Sequence, residues 1–125
     1  MKKLIVVSLV LIALTSCGGN AAKEDKNDAN DITGNPDYQK GLAIVAKNDC
    51  LTCHKIDEPL TGPPYREVAN KYAVIPNRDS VLDYLSKKII SGGMGVWGQI
   101  PMLPHASLSA DDAKAAVKYI LLLKK

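Results

Sequence analysis

Two of the three cysteines in this chain stand three positions apart, and a histidine directly follows the second. The run is Cys50-Leu51-Thr52-Cys53-His54, and the third cysteine, Cys17, lies far from it. Three thiols cannot all pair within one chain, and 125 residues form at most one small domain with little core to spare. A framework that rests on disulfides alone is therefore excluded, and the thiols must have another role.

The Cys-Leu-Thr-Cys-His run is the attachment pattern of c-type haem. Two thiols at this spacing can each add to one vinyl group of the same porphyrin, and the neighbouring imidazole is then held beneath the iron as an axial ligand. Cys50 and Cys53 are therefore predicted to bind one haem c covalently, with His54 on its iron.

A redox pair, a zinc site and a structural disulfide each fit this run less well. A thioredoxin-like redox pair follows a strand in an α/β pattern, which this sequence lacks. A zinc site needs further Cys or His ligands, and beyond the run and Cys17 only His105 is available. A disulfide between Cys50 and Cys53 would leave His54 without a role.

A second axial ligand is expected from the far end of the chain. The candidates are Met94, Met102 and His105, because Met1 belongs to a predicted signal segment. A lone methionine is more often a core filler than a ligand, but here one ligand position needs a donor and few donors exist. Met102 is favoured because Pro101 and Pro104 stiffen the extended loop around it, and a thioether ligand raises the reduction potential of haem iron.

The amino-terminal segment reads as an export signal. Met1-Lys2-Lys3 is basic, residues 4–14 are almost entirely apolar, and Leu14-Thr15-Ser16-Cys17 resembles the lipobox of bacterial lipoproteins. The apolar run is well short of the roughly 20 residues that span a bilayer. Residues 1–16 are therefore predicted to be removed and Cys17 to carry lipid, which anchors the exported protein to a bacterial envelope membrane.

Residues 17–36 are predicted to be the lipidated cysteine and a flexible polar tether. The segment 18–36 carries six charged residues and one large apolar side chain, Ile32, which is too little apolar surface to fold. Residues 37–125 hold twelve basic and nine acidic residues, and the basic residues are scattered. A nucleic-acid surface is not indicated.

The remaining sequence predicts an all-α domain over residues 37–125, with loops at 49–63 and 92–108. No stretch alternates convincingly enough to be a strand. Four helices are predicted: the first covers about 37–48, after Asn35 and Pro36, and the second runs from Pro64 to Tyr72. The third begins at a cap, Asp79 or Ser80, and ends at Gly92, and the fourth begins at the cap Ser109.

Residues 37–125 resemble a small bacterial mono-haem class I cytochrome c. The resemblance lies in the stretches CLTCHKID, TGPPYREVA and SGGMGVWGQIPMLPH. There are two departures. Gly41 stands one residue further from Cys50 than in many relatives, and Leu103-Pro104 stands where a double proline often follows the methionine.

The resemblance implies about four helices around one haem, the first and last crossing, with His54 and Met102 as axial ligands. It also implies that the carbonyl of Pro63, next to Gly62, accepts a hydrogen bond from the ring N–H of His54. Trp97 falls where the family places an indole near a haem propionate, with Lys88 as a basic partner. The alternative for Trp97 is a large core residue, and both roles are compatible.

The expected function is one-electron transfer between membrane-associated redox complexes, by a carrier rather than an enzyme. The partners would be redox proteins such as a terminal oxidase, a reductase or a quinol-oxidising complex, and the haem domain would be a monomer facing the periplasm or the outside. Lys47 and Lys55 could steer an acidic partner face, although they could equally be plain solvated charges. The alternative function is a haem-based sensor or peroxidase-like enzyme in which Met102 is labile.

Overall fold

A computed structural model describes residues 31–125 of the chain. Its α-helices are α1 (Pro36–Lys47), α2 (Tyr65–Ala73), α3 (Arg78–Ser91) and α4 (Ala110–Leu122), its strands are β1 (Gly93–Gly95) and β2 (Gly98–Met102), and two 3-10 helices cover Ile32–Gly34 and Cys50–Thr52. The predicted signal segment, Cys17 and residues 18–30 of the predicted tether lie outside the described residues. Within the described range, no helix is long and apolar enough to cross a bilayer.

The four predicted helices are confirmed, and their first turns show why they begin where they do. Asn35 accepts a hydrogen bond from the backbone N–H of Asp37 at 2.8 Å, and Pro36 occupies the first position of α1. Ser109 accepts one from the N–H of Asp112 at 3.1 Å at the start of α4. Each cap side chain satisfies an N–H that has no partner within its own helix.

The predicted start of α3 is wrong by a short distance. The cap is Asn77, whose side-chain oxygen accepts a hydrogen bond from the backbone N–H of Ser80 at 3.0 Å, so the helix already includes Arg78. Asn, Asp and Ser are all good cap residues, and residues 77–80 contain one of each. Gly92 ends α3 as expected, with φ +68° and ψ −158°.

The prediction that the chain contains no strand is wrong. β1 and β2 form an antiparallel pair in which Gly93 lies opposite Met102 and Gly95 opposite Gly98. The three glycines have φ between 103° and 126°, and neither strand has a buried face. Because alternation of apolar and polar residues arises when one face is buried, this hairpin leaves no such pattern in the sequence.

Helix α4 lies at the centre of the packing and contacts α1, α2 and α3. Despite the unusual spacing of Gly41 from Cys50, α1 and α4 approach each other most tightly at Gly41. The carbonyl of Ala115 and the Cβ of Tyr119 occupy the space that a Cβ at Gly41 would need. The buried core residues around this crossing include Val45, Tyr65, Val68, Ala69, Tyr72, Val81, Ala116, Val117, Tyr119, Ile120 and Leu121.

Within residues 31–36, which were predicted to form the end of the tether, a short 3-10 helix covers Ile32–Gly34 and α1 begins at Pro36. Ile32 begins a short 3-10 helix, and its partly buried side chain packs against the core. Asp31 caps this turn, because its carboxylate accepts a hydrogen bond from the N–H of Thr33 at 2.9 Å. Ordered chain therefore extends a few residues before α1.

Candidate functional site

One large cavity of about 670 Å³ opens between α1, α2, α3, α4 and the β-hairpin. Its volume falls in the range of cofactor sites, and its wall is mainly aliphatic and aromatic. All the site residues predicted for the folded domain lie on this wall: Cys50, Cys53, His54, Gly62, Pro63, Lys88, Trp97 and Met102. The fold thus brings together residues from positions 50–63 and 88–102 of the sequence.

The imidazole of His54 is held by the segment that follows the cysteine run. Its Nδ1 lies 2.8 Å from the carbonyl oxygen of Pro63. Because a carbonyl oxygen can only accept, this contact places the ring proton on Nδ1 and leaves the lone pair of Nε2 for a metal. The contact is the one that the resemblance implied for Pro63.

Gly62 makes room for that imidazole. A Cβ at this position would overlap with Cε1 of His54 and lie 2.8 Å from Nδ1. The N–H of Gly62 also donates to the carbonyl of Cys53 at 2.8 Å, which ties the loop back to the cysteine run. A glycine is therefore required sterically where the loop passes the ring.

Cys50 and Cys53 are free thiols at the two ends of a 3-10 turn. Burial raises the pKa of Cys50, and the negative charge of Asp49 also raises it, while hydrogen bonding to Tyr65 acts in the opposite direction. Reactive cysteines of thioredoxin-like pairs have lowered pKa values. The environment of Cys50 therefore disfavours a thioredoxin-like role.

Tyr65 is a site residue that the sequence reasoning missed. Its ring stacks on the imidazole of His54, with the centroids 5.2 Å apart and the planes 16° from parallel. Burial raises the pKa of Tyr65, and the neighbouring Cys50 and Tyr119 raise it further, so the phenol stays neutral. Its position directly after Gly62-Pro63-Pro64 was the available signal, because that run also carries the contact to His54.

Met102 ends β2, and the loop after it is held against the end of α3. A Cβ at Gly92 would overlap with the carbonyl oxygen of Met102 and lie 2.9 Å from the nitrogen of Pro104, so the two backbones touch. The backbone N–H of His105 donates to the carbonyl of Ile89 at 3.0 Å. The backbone of residues 102–105 thus packs against Gly92 at one end and is hydrogen-bonded to α3 at the other.

The three candidates for the second axial ligand all lie on the cavity wall. Met102 and His105 are half-buried, whereas the side chain of Met94 on β1 is 57% exposed. A position on the cavity wall therefore does not by itself identify the second axial ligand. The anchored backbone favours Met102 over Met94, because a rigid loop can hold a sulfur at one distance.

Trp97 is a rim residue and not part of the core. It lies in the turn between β1 and β2 and is 41% exposed. The ammonium of Lys71, a residue that the sequence reasoning did not single out, lies 5.5 Å from the centroid of the indole. Lys88 approaches the hairpin beside Gly93. Lys71 thus packs on the indole, whereas Lys88 lines the cavity beside the hairpin, where it could bind an acidic group of a ligand.

These residues fit haem c. The wall offers two free thiols at the attachment spacing, an imidazole whose Nδ1 is taken up by Pro63, the thioether of Met102 and one lysine, Lys88. Among residues 31–125, no three His, Cys, Asp or Glu side chains gather as a metal cluster. A zinc site therefore gains no support from the described part of the chain.

Comparison with known proteins points to the same group. The family model described as cytochrome c matches residues 38–124. Cytochrome c-552 of Nitrosomonas europaea is 43% identical over 86 residues, covering 69% of this chain and 81% of that protein. Cytochrome c-551 of Allochromatium vinosum is 38% identical over 90 residues, covering 72% of this chain and 93% of that protein.

The fold agrees with a solved structure as well. The crystal structure of wild-type Nitrosomonas europaea cytochrome c552 is similar with a TM-score of 0.60 at 42% identity. The match covers 66% of this chain and 99% of that one. The likeness therefore extends over nearly the whole solved protein.

Proposed function

The chain belongs to the cytochrome c family, as a small class I member that binds one covalent haem c, and we propose that it carries single electrons with His54 and Met102 as axial ligands. When bound, haem c supplies an iron that takes up and releases one electron. The residues of the cavity wall would bind the haem, hold the two ligand side chains in place and exclude water from the iron. With both side chains bound to the iron, no coordination position would remain open for a substrate, so this ligand set would suit a carrier and not an enzyme.

The hydrogen bond of His54 to Pro63 is the observation that carries this proposal. A histidine whose Nδ1 donates to a backbone carbonyl presents Nε2 to the metal in one fixed orientation. Cys50 and Cys53 lie beside it and would form the two thioether bonds. The apolar wall supplies a low dielectric, which limits the reorganisation of solvent around a group that changes charge.

Met102 is the proposed second ligand. Its backbone packs closely against Gly92 at the end of α3, and its side chain lies on the cavity wall. A thioether ligand favours the ferrous state and raises the reduction potential. A carrier of this kind suits a partner that needs an electron acceptor of comparatively high potential.

The ferric absorption spectrum tests this ligand set. Methionine ligation produces a weak far-red band, which we expect in the wild-type holoprotein and in Met94→Leu, and which Met102→Leu should abolish. Mass spectrometry of the same samples should show one haem mass on the chain. A band that survives Met102→Leu, or a wild-type protein without the band, contradicts the proposal; the latter result would favour the sensor or peroxidase-like alternative.

We also propose that the protein is exported and attached to a bacterial envelope membrane through a lipid on Cys17. The lipobox-like sequence supports this, and with residues 1–16 removed the 17–36 segment would link the anchor to a monomeric haem domain. Labelled fatty acid should enter the wild-type protein and not Cys17→Ala. Release of the wild-type protein from membranes by salt alone would contradict a lipid anchor.

The proposed partners are membrane-associated redox proteins with an acidic docking face. Lys47 and Lys55 are exposed near the attachment run, although the ammonium of Lys55 lies 3.0 Å from the carboxylate of Glu58, which lowers its local effect. Lys47 is thus the stronger steering candidate. The rate of electron transfer to the partner should fall as the salt concentration rises, and it should fall less steeply for Lys47→Gln than for the wild type. A rate that does not depend on ionic strength would contradict electrostatic steering.

A further inference from the structure

The cavity holds a second imidazole that the proposed ligand set does not use. His105 lies three residues after Met102, is half-buried and lines the same cavity. Its Nδ1 is shut off from solvent and has no hydrogen-bond partner among residues 31–125. Buried polar atoms without partners are rare in proteins and call for a physical reason.

The position of this imidazole does not depend on the Met102 side chain. The backbone N–H of His105 donates to Ile89 at the end of α3, and its carbonyl accepts from the N–H of Leu108, both at 3.0 Å. Since neither bond involves Met102, a change in the thioether would leave the backbone of His105 in place. The backbone that carries the ring therefore stays beside the cavity when the thioether changes.

We propose that His105 is a reserve axial ligand, which binds the haem iron through Nε2 when the thioether of Met102 is lost. The inference rests on the proposed function, because it takes Met102 as the ordinary ligand. Nε2 is the nitrogen available for a metal, since Nδ1 is sealed within the protein. A neutral imidazole is a common ligand of haem iron.

Oxidation of the methionine is the event that would call for a reserve ligand. Hydrogen peroxide transfers one oxygen atom to a thioether, which gives the sulfoxide and one water, and the product is more polar and a poorer ligand for iron. Binding of His105 would then keep both axial positions filled and exclude peroxide from the iron.

Replacement of the Met102 thioether by His105 would lower the reduction potential of the haem iron, because an imidazole stabilises the ferric state better than a thioether does. The oxidised protein would then no longer transfer electrons at high potential, but its iron would have no open coordination position. His105 acts here on the haem iron directly, so its role differs from that of residues that only position Met102.

Three holoprotein variants test this inference by low-temperature electron paramagnetic resonance and visible spectra. We expect ferric Met102→Ala to be low-spin, with a lowered reduction potential, and Met102→Ala/His105→Asn to be largely high-spin. The single variant His105→Asn should keep the far-red band of methionine ligation, which shows that the loop still folds. High-spin Met102→Ala, or a double variant that stays low-spin, would overturn the proposal.

Lys88 is the main competitor, because its side chain also lines the cavity. Met102→Ala/Lys88→Ala should therefore remain low-spin, and a change to high-spin there would assign the ligand to Lys88 and overturn the proposal. The wild-type spectrum tests a separate point. If it lacks the methionine band, the proposed ligation by Met102 fails, whereas the Met102→Ala variants alone decide the role of His105.

Discussion

Gly62 lies directly against the imidazole of His54, so closely that any side chain at this position would overlap with the ring. The next residue, Pro63, accepts the hydrogen bond from Nδ1. The same short loop therefore sets both the place and the orientation of the proposed axial ligand.

Gly62→Ala should disturb this ligand. The added methyl group would push the imidazole away from the Pro63 carbonyl, at a cost of roughly 1–3 kcal/mol in the free energy of unfolding of the holoprotein. We expect a lower midpoint in thermal denaturation and an altered reduction potential. Gly34→Ala is the matched control, because a Cβ there would meet nothing within 4 Å. A Gly62→Ala protein that matches the wild type in both measurements would refute this role of the loop.

Gly41→Ala should destabilise the crossing of α1 and α4. Alanine is the better helix former by about 1 kcal/mol, but its Cβ would overlap with the backbone carbonyl of Ala115, which cannot rotate away. Overpacking of this kind costs about 1–3 kcal/mol, which should outweigh the gain in helix propensity, so we expect Gly41→Ala to be less stable than the wild type. Denaturant titration of the holoprotein measures the difference.

Lys40→Ala provides the comparison on the same helix. Lys40 is exposed, so this change should shift the free energy of unfolding by no more than about 0.5 kcal/mol. If Gly41→Ala were as stable as Lys40→Ala, the close approach of the two helices at Gly41 would not be a constraint on stability.

The ion pair of Asp57 with Arg66 should make stability depend on pH. Arg66 donates to both carboxylate oxygens of Asp57 and to the carbonyl of Leu123, and the hydrogen bond to Arg66 lowers the pKa of Asp57. Because the folded-state pKa is below the unfolded one, the stabilisation is present at neutral pH and is lost as the pH falls below about 4 through the folded-state pKa.

Asp57→Asn should therefore be less stable than the wild type near pH 7, and the difference should shrink as the solution is acidified below about pH 4. Denaturant titrations across this range measure it. Glu58→Gln is the control, because its partner Lys55 is itself exposed and exposed pairs contribute little. An Asp57→Asn difference that is constant across the range would contradict the assigned cause.

The chain without haem should be largely unfolded. Besides the cavity itself, apolar side chains on its wall are widely exposed in the protein part alone, including Ile100 at 65% and Leu103 at 72%. Without the haem, too little apolar surface is buried to offset the conformational entropy of the chain. Far-ultraviolet circular dichroism of chain expressed without haem attachment should show little helix, and a compact apoprotein with a cooperative melt would contradict this expectation.

The four helices were predictable because each has a local signal. Asn35 with Pro36, and Ser109 with two acids behind it, identify helix starts by satisfying the free N–H groups of a first turn. The β-hairpin was not predictable in the same way. Its glycines and its lack of a buried face remove the pattern that usually identifies strands, and its partner contacts form across a turn.

The sequence alone determined the chemistry of this protein: two thiols and a histidine at a spacing that binds haem c, within a mainly helical chain. That information is local, because covalent spacing along five residues suffices. The tertiary structure decided which side chains from different segments contact one another. The stacking of Tyr65 on His54, the contact of Gly92 with Met102 and the place of His105 on the same wall arise only when the chain folds. Each depends on the distance in space between segments that a loop or turn separates.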